Sequence, residues 1–239
     1  MVSSDLRIDE FKYEGSALGN WELGGVYLPG EAKDHHLDAY IRHDGEEIAH
    51  LGGIYLPAEE GTGSLSADIA FEHFPLNVAN PFVPDRMVEL DGDIDGTLSM
   101  KGDPAKPLLN GELALDSVTF FMPEMSAMFR FDNEPVQVVN SKMMFKEFDI
   151  FTKGKTPFTI NGEVDFSDLE RTAVNLKMHA ENYELLNAPR TKRAMVYGKM
   201  YVDFNAKLRG PVEELVMRGN MNILGKTNVT YVLKDRSEE

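Results

Sequence analysis

Along most of this chain, apolar and polar side chains alternate with a period of two. In "FTINGEVDF", Phe158, Ile160, Gly162, Val164 and Phe166 share one parity, and Thr159, Asn161, Glu163 and Asp165 share the other. "VNLKMHA" sets Val174, Leu176, Met178 and Ala180 against Asn175, Lys177 and His179. "KMYVDFNAKL" sets Met200, Val202, Phe204, Ala206 and Leu208 against Tyr201, Asp203, Asn205 and Lys207. "SLSADIAF" and "LVMRGNMNI" do the same, through Leu65, Ala67, Ile69 and Phe71 and through Leu215, Met217, Gly219, Met221 and Ile223. Successive side chains of a strand point to opposite faces, so each segment predicts a strand with one apolar and one solvated face. That is the pattern of antiparallel sheets. Turn signals separate the segments: Pro29-Gly30, Asp44-Gly45, Gly61-Thr62-Gly63, Asp103-Pro104, Gly154-Lys155 and Gly210-Pro211. No low-complexity linker interrupts them, so residues 1–239 read as a single elongated β domain.

One stretch breaks the rhythm. "FEHFPLNVANPFVPDRM" carries Pro75, Pro81 and Pro84, which exclude a central strand. Leu76, Val78, Ala79 and Phe82 predict one or two apolar helical turns over 74–83, a short plug or cap.

Two internal repeats stand out. "LGGVYLP" at 23–29 returns as "LGGIYLP" at 51–57, an offset of 51 − 23 = 28 residues. Apolar parity switches across each Gly-Gly pair: Trp21 and Leu23 precede Val26 and Leu28, and Leu51 precedes Ile54 and Leu56. Such a switch is what a β-bulge produces, so bends are expected at Gly24-Gly25 and Gly52-Gly53. A second repeat relates "MKGDPAKPLLNGELAL" at 100–115 to "LRGPVEELVMRGNMNI" at 208–223. Gly102 and Gly111 recur there as Gly210 and Gly219, each 108 residues on.

Charge and chemistry narrow the function. Net charge is −16, and all of the excess lies in residues 1–120, with 23 acidic against 7 basic side chains; the rest carries 17 of each. An acidic surface of this size repels nucleic acid. There is no cysteine, which removes disulfides, thiolate metal sites and cysteine nucleophiles. The six histidines show no ligand spacing, and His35-His36 would point to opposite faces of a strand. "DGDIDG" at 91–96 opens like a calcium loop, but position 12 is Gly102 rather than Glu. Alternation instead puts Asp91, Asp93 and Asp95 on a solvated face. Nucleophile elbows and phosphate-binding glycine loops are absent, and the reading is not an enzyme, with no cofactor and no metal. "APRTKR" at 188–193 reads as a solvated basic turn, and "NVT" at 228–230 falls in a strand. No apolar run reaches the roughly 18 residues of a membrane helix. "MVSSDLRIDEF" lacks a signal-peptide core and "VTYVLKDRSEE" stops just after a strand, which reads as a piece of a longer protein.

Residues 90–120, "LDGDIDGTLSMKGDPAKPLLNGELALDSVTF", place Gly92, Gly96, Leu98, Met100, Gly102, Pro107, Gly111, Leu113 and Leu115 at regular intervals. This spacing resembles the C-terminal region of the TamB family, of the AsmA-like group. "YGKMYVDFNAKLRGPVEELVMRGNMNILGKTNVTYVL" looks like a second copy, and "FPLNVANPFVP" is similar to the Pro-bounded segment before it. The resemblance covers roughly residues 19–233. It implies an all-β fold, a long antiparallel sheet curled into a U-shaped trough (a β-taco) with an apolar concave face. It also implies a function: a segment of a periplasm-spanning bridge that moves phospholipid toward the outer membrane of a Gram-negative bacterium. The full-length protein would be anchored in the inner membrane, with an outer-membrane assembly protein of the Omp85 type as partner.

On this reading the groove is lined by the apolar parity of the strands: Leu113, Leu115, Phe120, Met122, Phe158, Ile160, Val164, Phe166, Leu176, Met178, Met200, Val202, Phe204, Leu208, Met221 and Ile223. Thirteen methionines and fourteen phenylalanines suit a lining that adapts to mixed acyl chains, and equally suit an ordinary core. Alternation alone fits a closed sandwich as well as a trough. Two other function classes fit it too: a scaffold that adds a partner's strand to a sheet edge, and a β-sandwich that binds carbohydrate or acts as an enzyme.

Overall fold

The computed structural model describes residues 1–30, 34–58, 61–83, 88–123, 127–168, 171–190 and 196–232. Fifteen strands form one antiparallel sheet: β1 (Val2–Tyr13), β2 (Ser16–Pro29), β3 (His35–His43), β4 (Glu46–Leu56), β5 (Ser64–Pro75), β6 (Glu89–Gly102), β7 (Leu108–Met122), β8 (Ala127–Phe131), β9 (Val136–Val139), β10 (Lys142–Phe151), β11 (Phe158–Asp165), β12 (Ala173–Ala188), β13 (Val196–Pro211), β14 (Val216–Ile223) and β15 (Asn228–Tyr231). Nearly every strand pairs with its neighbour in sequence. β8 and β9 share the gap between β7 and β10, and β14 and β15 share the edge of β13. Three turns carry positive φ at both central residues: Glu14-Gly15, Asp44-Gly45 and Asn140-Ser141. Two-residue turns of that kind match the twist of the strands they join.

The predicted alternation runs across the whole sheet. Ser4, Gly25, Ala39, Leu51, Ile69, Leu98, Gly111, Val138, Met143, Val164, Val174 and Gly210 form one cross-strand row from β1 to β13. The next row holds Leu6, Leu23, Ile41, Ala49, Phe71, Gly96, Leu113 and Val136 on the same face. The row between them is mostly polar and includes Asp5, His50, Glu112, Gln137, Glu163, Asn175 and Arg209. The accessible surface is 15,682 Å². A globular protein of this mass exposes about 10,800 Å². The excess belongs to a long sheet that covers only part of its apolar face.

The sheet folds along a crease made by bulges. Register shifts occur between Ile8 and Phe11, Phe71 and Phe74, Phe145 and Phe148, and Ala180 and Tyr183, and a fifth faces Asp91–Asp93, where Ser117 of β7 is the extra residue. Each contains a non-glycine residue with φ between 47 and 53°: Glu10, His73, Glu147, Asn182 and Ser117. Left-handed backbone costs about 1–2 kcal/mol in such residues. Four of the five have the same compensation, because the bulged N–H donates to a side-chain oxygen of the next strand. The pairs are Glu10 to Asn20 (3.0 Å), His73 to Asp95 (2.8 Å), Glu147 to Asn161 (2.9 Å) and Asn182 to Asp203 (2.7 Å). All five bulges fall just beyond the Leu6–Val136 row or its continuation, so their added twist accumulates along one line.

The expected bends at Gly24-Gly25 and Gly52-Gly53 are not there. Pairing runs unbroken through Leu51–Ile69, Gly52–Asp68, Gly53–Ala67 and Ile54–Ser66, and equally through Gly24–Tyr40 and Gly25–Ala39. Ile54 and Leu56 therefore point to the polar face, as do Val26 and Leu28. The glycines serve close approach instead. A Cβ on Gly24 would lie 2.3 Å from the Tyr40 ring, and one on Gly53 would lie 2.4 Å from the Ala67 Cβ.

A 3-10 helix spans Leu76–Phe82. Asn80 ties it to β6, since its side-chain amide donates to the Leu90 carbonyl (2.8 Å) and its Oδ1 accepts from the Leu90 N–H (2.6 Å). Phe82 stacks on Tyr13 of β1 with ring centroids 4.8 Å apart. That contact joins the end of β5 to the end of β1, four strands away, and caps one end of the curl.

Candidate functional site

The apolar concave face is closed at one end of the sheet and open at the other. In the closed part, Ala127, Phe129, Val136, Phe148, Ile150, Ala180, Tyr183, Leu186, Ala188 and Val202 form one buried cluster. β8 also touches β12, which is not its neighbour in the sheet, so the sheet has folded onto itself. The aromatic rings interlock here: Phe120 stacks on Phe129 at 4.4 Å, Phe131 meets Phe148 at 5.7 Å, and Phe158 meets Phe204 at 5.9 Å. A smaller cluster of Leu98, Leu113 and Val138 continues it toward β6.

This core absorbs most of the residues expected to line a groove. Leu113, Met178 and Val202 are buried. Leu115, Phe120, Met122, Phe158, Ile160, Met200 and Phe204 pack against the large cluster, and Phe166 against the small one. Val164, Leu176 and Leu208 are half-buried. Only Met221 and Ile223 of the sixteen are exposed, on the edge strand β14.

The open part lies over β1 and β2; on β3 and β4 the same face is half-buried, and Ala49 is buried. Leu6 is 54% exposed and Leu23 40%, although both stand in the row that ends at buried Leu113 and Val136. Val2 and Ile8 extend this uncovered strip. A cavity of about 570 Å³ opens beside it, lined by Leu37, Tyr55, Thr62, Leu65, Pro104 and Ala105. The second copy of the seven-residue repeat supplies its one aromatic lining residue, Tyr55. Tyr27 and Tyr55 hold equivalent places in the two copies and flank His35, at ring distances of 5.2 and 6.0 Å, and the Tyr27 hydroxyl is hydrogen-bonded to His35 Nδ1. Neither this open strip nor the tyrosine pair follows from parity alone.

Polar groups near the core are few. Glu184 is buried and accepts from the Tyr201 hydroxyl and the Asn187 amide, each at 2.8 Å. The bond to Glu184 raises the Tyr201 pKa. Burial raises that of Tyr183, whose buried hydroxyl finds no partner of good geometry among the described residues. On the outer face Lys142 bridges Glu163 and Asp165, both at 3.1 Å. The bond to Asp165 raises the Lys142 pKa, and Ser167 holds that of Asp165 down. Among the described residues no cluster of His, Cys, Asp or Glu is arranged to hold a metal, and Asp91, Asp93 and Asp95 remain on the solvated parity. The basic turn at 188–193 lies partly outside the described residues.

Comparison with protein-family models, curated proteins and solved structures finds no match to this chain. The all-β sheet, its crease and its graded apolar face are therefore the structural basis for a functional reading.

Proposed function

We propose that this chain is a section of a lipid-carrying trough. Acyl chains lie along the concave face and headgroups stay at its open, wet edge. One observation carries the reading. A single apolar face runs across the sheet, yet is left uncovered over β1 and β2, where Leu6 and Leu23 face solvent. Exposed apolar strips of this kind mark interaction surfaces. Each methylene that moves onto them from water contributes about 0.8 kcal/mol. The lipid site thus belongs to Val2, Leu6, Ile8, Leu23, Leu37 and Tyr55 rather than to the packed cluster around Val202. The wider role follows the family resemblance: a bridge across the periplasm of a Gram-negative bacterium, with phospholipid as cargo.

The test is lipid capture from phosphatidylethanolamine vesicles, read by native mass spectrometry. Wild type should carry phospholipid, and the Leu6→Asp/Leu23→Asp variant should lose it while keeping its far-ultraviolet circular dichroism. Equal capture by the folded variant would remove lipid from the strip on β1 and β2. A second reading, a scaffold that accepts a partner's strand, rests on β14. Met217, Met221 and Ile223 of that edge strand are exposed, and bare apolar edges invite pairing.

A further inference from the structure

We propose that the outer face of β12–β14 binds a phosphate-class anion at Lys177, Lys207 and Arg218. The three are in direct register, Lys177 opposite Lys207 and Lys207 opposite Arg218, and Asn161 extends the row onto β11. Strands lie about 4.8 Å apart, so three cationic side chains rise from about 10 Å of sheet. Like charges directly opposite one another are destabilising. Nothing offsets them here, because none of the three forms an ion pair among the described residues.

The acids on neighbouring positions are engaged elsewhere. Glu163 is paired with Lys142 at 3.1 Å, Asp149 accepts from the Thr159 hydroxyl at 2.6 Å, and Asp203 accepts from the Asn182 N–H at 2.7 Å. The same face at the other end of the sheet shows the ordinary solution. There Arg7, Glu22, Arg42 and Glu47 form a row of alternating sign, and Arg42 reaches Glu22 at 3.2 Å and Glu47 at 3.5 Å. A row of three uncompensated cations runs against both that pattern and a net charge of −16.

The surroundings suit a compact anion. A shallow depression of about 630 Å³ lies over the row, and Asn220 and His179, the latter hydrogen-bonded to Asn205 Oδ1 at 2.7 Å, line it beside the cations. Two ammonium groups and one guanidinium can each donate charge-assisted bonds to phosphate oxygens, the guanidinium through two parallel N–H groups. The row is too short for an extended polyanion, and the acidic remainder of the chain repels one. The shared chemistry is a phosphate group, whether free or on a lipid headgroup.

The experiment uses the whole chain and the Lys177→Gln/Lys207→Gln/Arg218→Gln variant. Inorganic phosphate and glycerol phosphate are titrated against both, followed by phosphorus NMR and by thermal midpoint, with chloride at equal ionic strength as reference. Co-sedimentation with phosphatidylcholine vesicles, with and without phosphatidylglycerol, separates the two sources. Wild type should gain midpoint with phosphate beyond the chloride effect, or sediment only with the anionic vesicles. The variant should lose at least about tenfold in affinity, as expected when charge-assisted bonds to one anion are removed. Without phosphate the variant should be no less stable than wild type, since only repulsion has been removed. A wild type that responds to neither phosphate nor anionic vesicles overturns the proposal. So does a variant that responds as wild type does, or a wild type that binds only duplex oligonucleotide. The Leu6→Asp/Leu23→Asp variant keeps this site, so failure of the trough reading and failure of this one are separable.

Discussion

Truncating two leucines on the same apolar face measures the gradient along the trough. Leu186→Ala and Leu23→Ala each remove three carbons. Their transfer to water costs about 2.4 kcal/mol when the side chain is fully buried, at about 0.8 kcal/mol per methylene. Leu186 is 2% exposed inside the large cluster, so nearly all of that is lost. The cavity left behind adds to it, which gives about 3–4 kcal/mol. Leu23 is 40% exposed, so only about 60% of the transfer term applies. It stands on an open surface that leaves no cavity, and the expected loss is about 1.4 kcal/mol.

Urea unfolding reads the difference. Far-ultraviolet circular dichroism follows the whole sheet, and the single tryptophan, Trp21 of β2, reports the open part. The Leu186→Ala midpoint should fall at least twice as far as that of Leu23→Ala, at unchanged slope. Equal shifts would mean that the face over β1 and β2 is covered in solution, and the graded trough would be wrong.

The crease and the outer ion pairs make their own predictions. Glu147→Gly should raise stability by about 1 kcal/mol, because its φ of 47° carries a left-handed penalty that glycine does not, whereas Glu147→Val should lower it; denaturant midpoints decide. Asp165, its pKa held down by Ser167, contributes stability that is present above the unfolded carboxylate range near pH 4 and lost as pH falls through its lower folded value. Asp165→Asn should therefore be less stable than wild type at neutral pH, by under about 1 kcal/mol for so exposed a group, with the gap closing below pH 3 in a thermal-melt series.

The strands were legible because a period of two is a strong signal and the sheet is a simple meander. Parity also ordered the faces correctly from Phe158 to Ile223. It failed at Gly24-Gly25 and Gly52-Gly53, where Val26, Leu28, Ile54 and Leu56 are apolar residues on the polar face rather than evidence of a bulge. The true bulges have a different signature. Two polar residues separate two apolar ones in Ile8-Asp9-Glu10-Phe11, Phe71-Glu72-His73-Phe74, Leu115-Asp116-Ser117-Val118, Phe145-Lys146-Glu147-Phe148 and Ala180-Glu181-Asn182-Tyr183. An extra residue shifts parity by one, so the apolar face resumes three positions on rather than two. The groove lining was harder to read. Parity gives the face of a side chain, but whether that face is open or packed depends on which strands the crease brings together, and that is a property of the whole sheet.

The uneven charge and the uneven closure of the trough belong together. Residues 1–120 hold a balance of −16, and the first two of their strands carry the uncovered apolar strip. A flat edge strand such as β1, exposed along nearly its whole length, would otherwise pair with a second copy. Repulsion between acidic halves opposes that encounter and is screened over about 10 Å at 0.1 M salt. Raising the salt to about 1 M shortens that distance to about 3 Å and also strengthens apolar association. The chain should then shift from monomer toward larger species in light scattering, and Leu6→Asp/Leu23→Asp should suppress the shift at the same salt. A wild type whose particle size is unchanged across that range would separate the acidic excess from the open strip. The charge would then need another explanation, because the rows on the outer face of β1–β4 already pair their own cations.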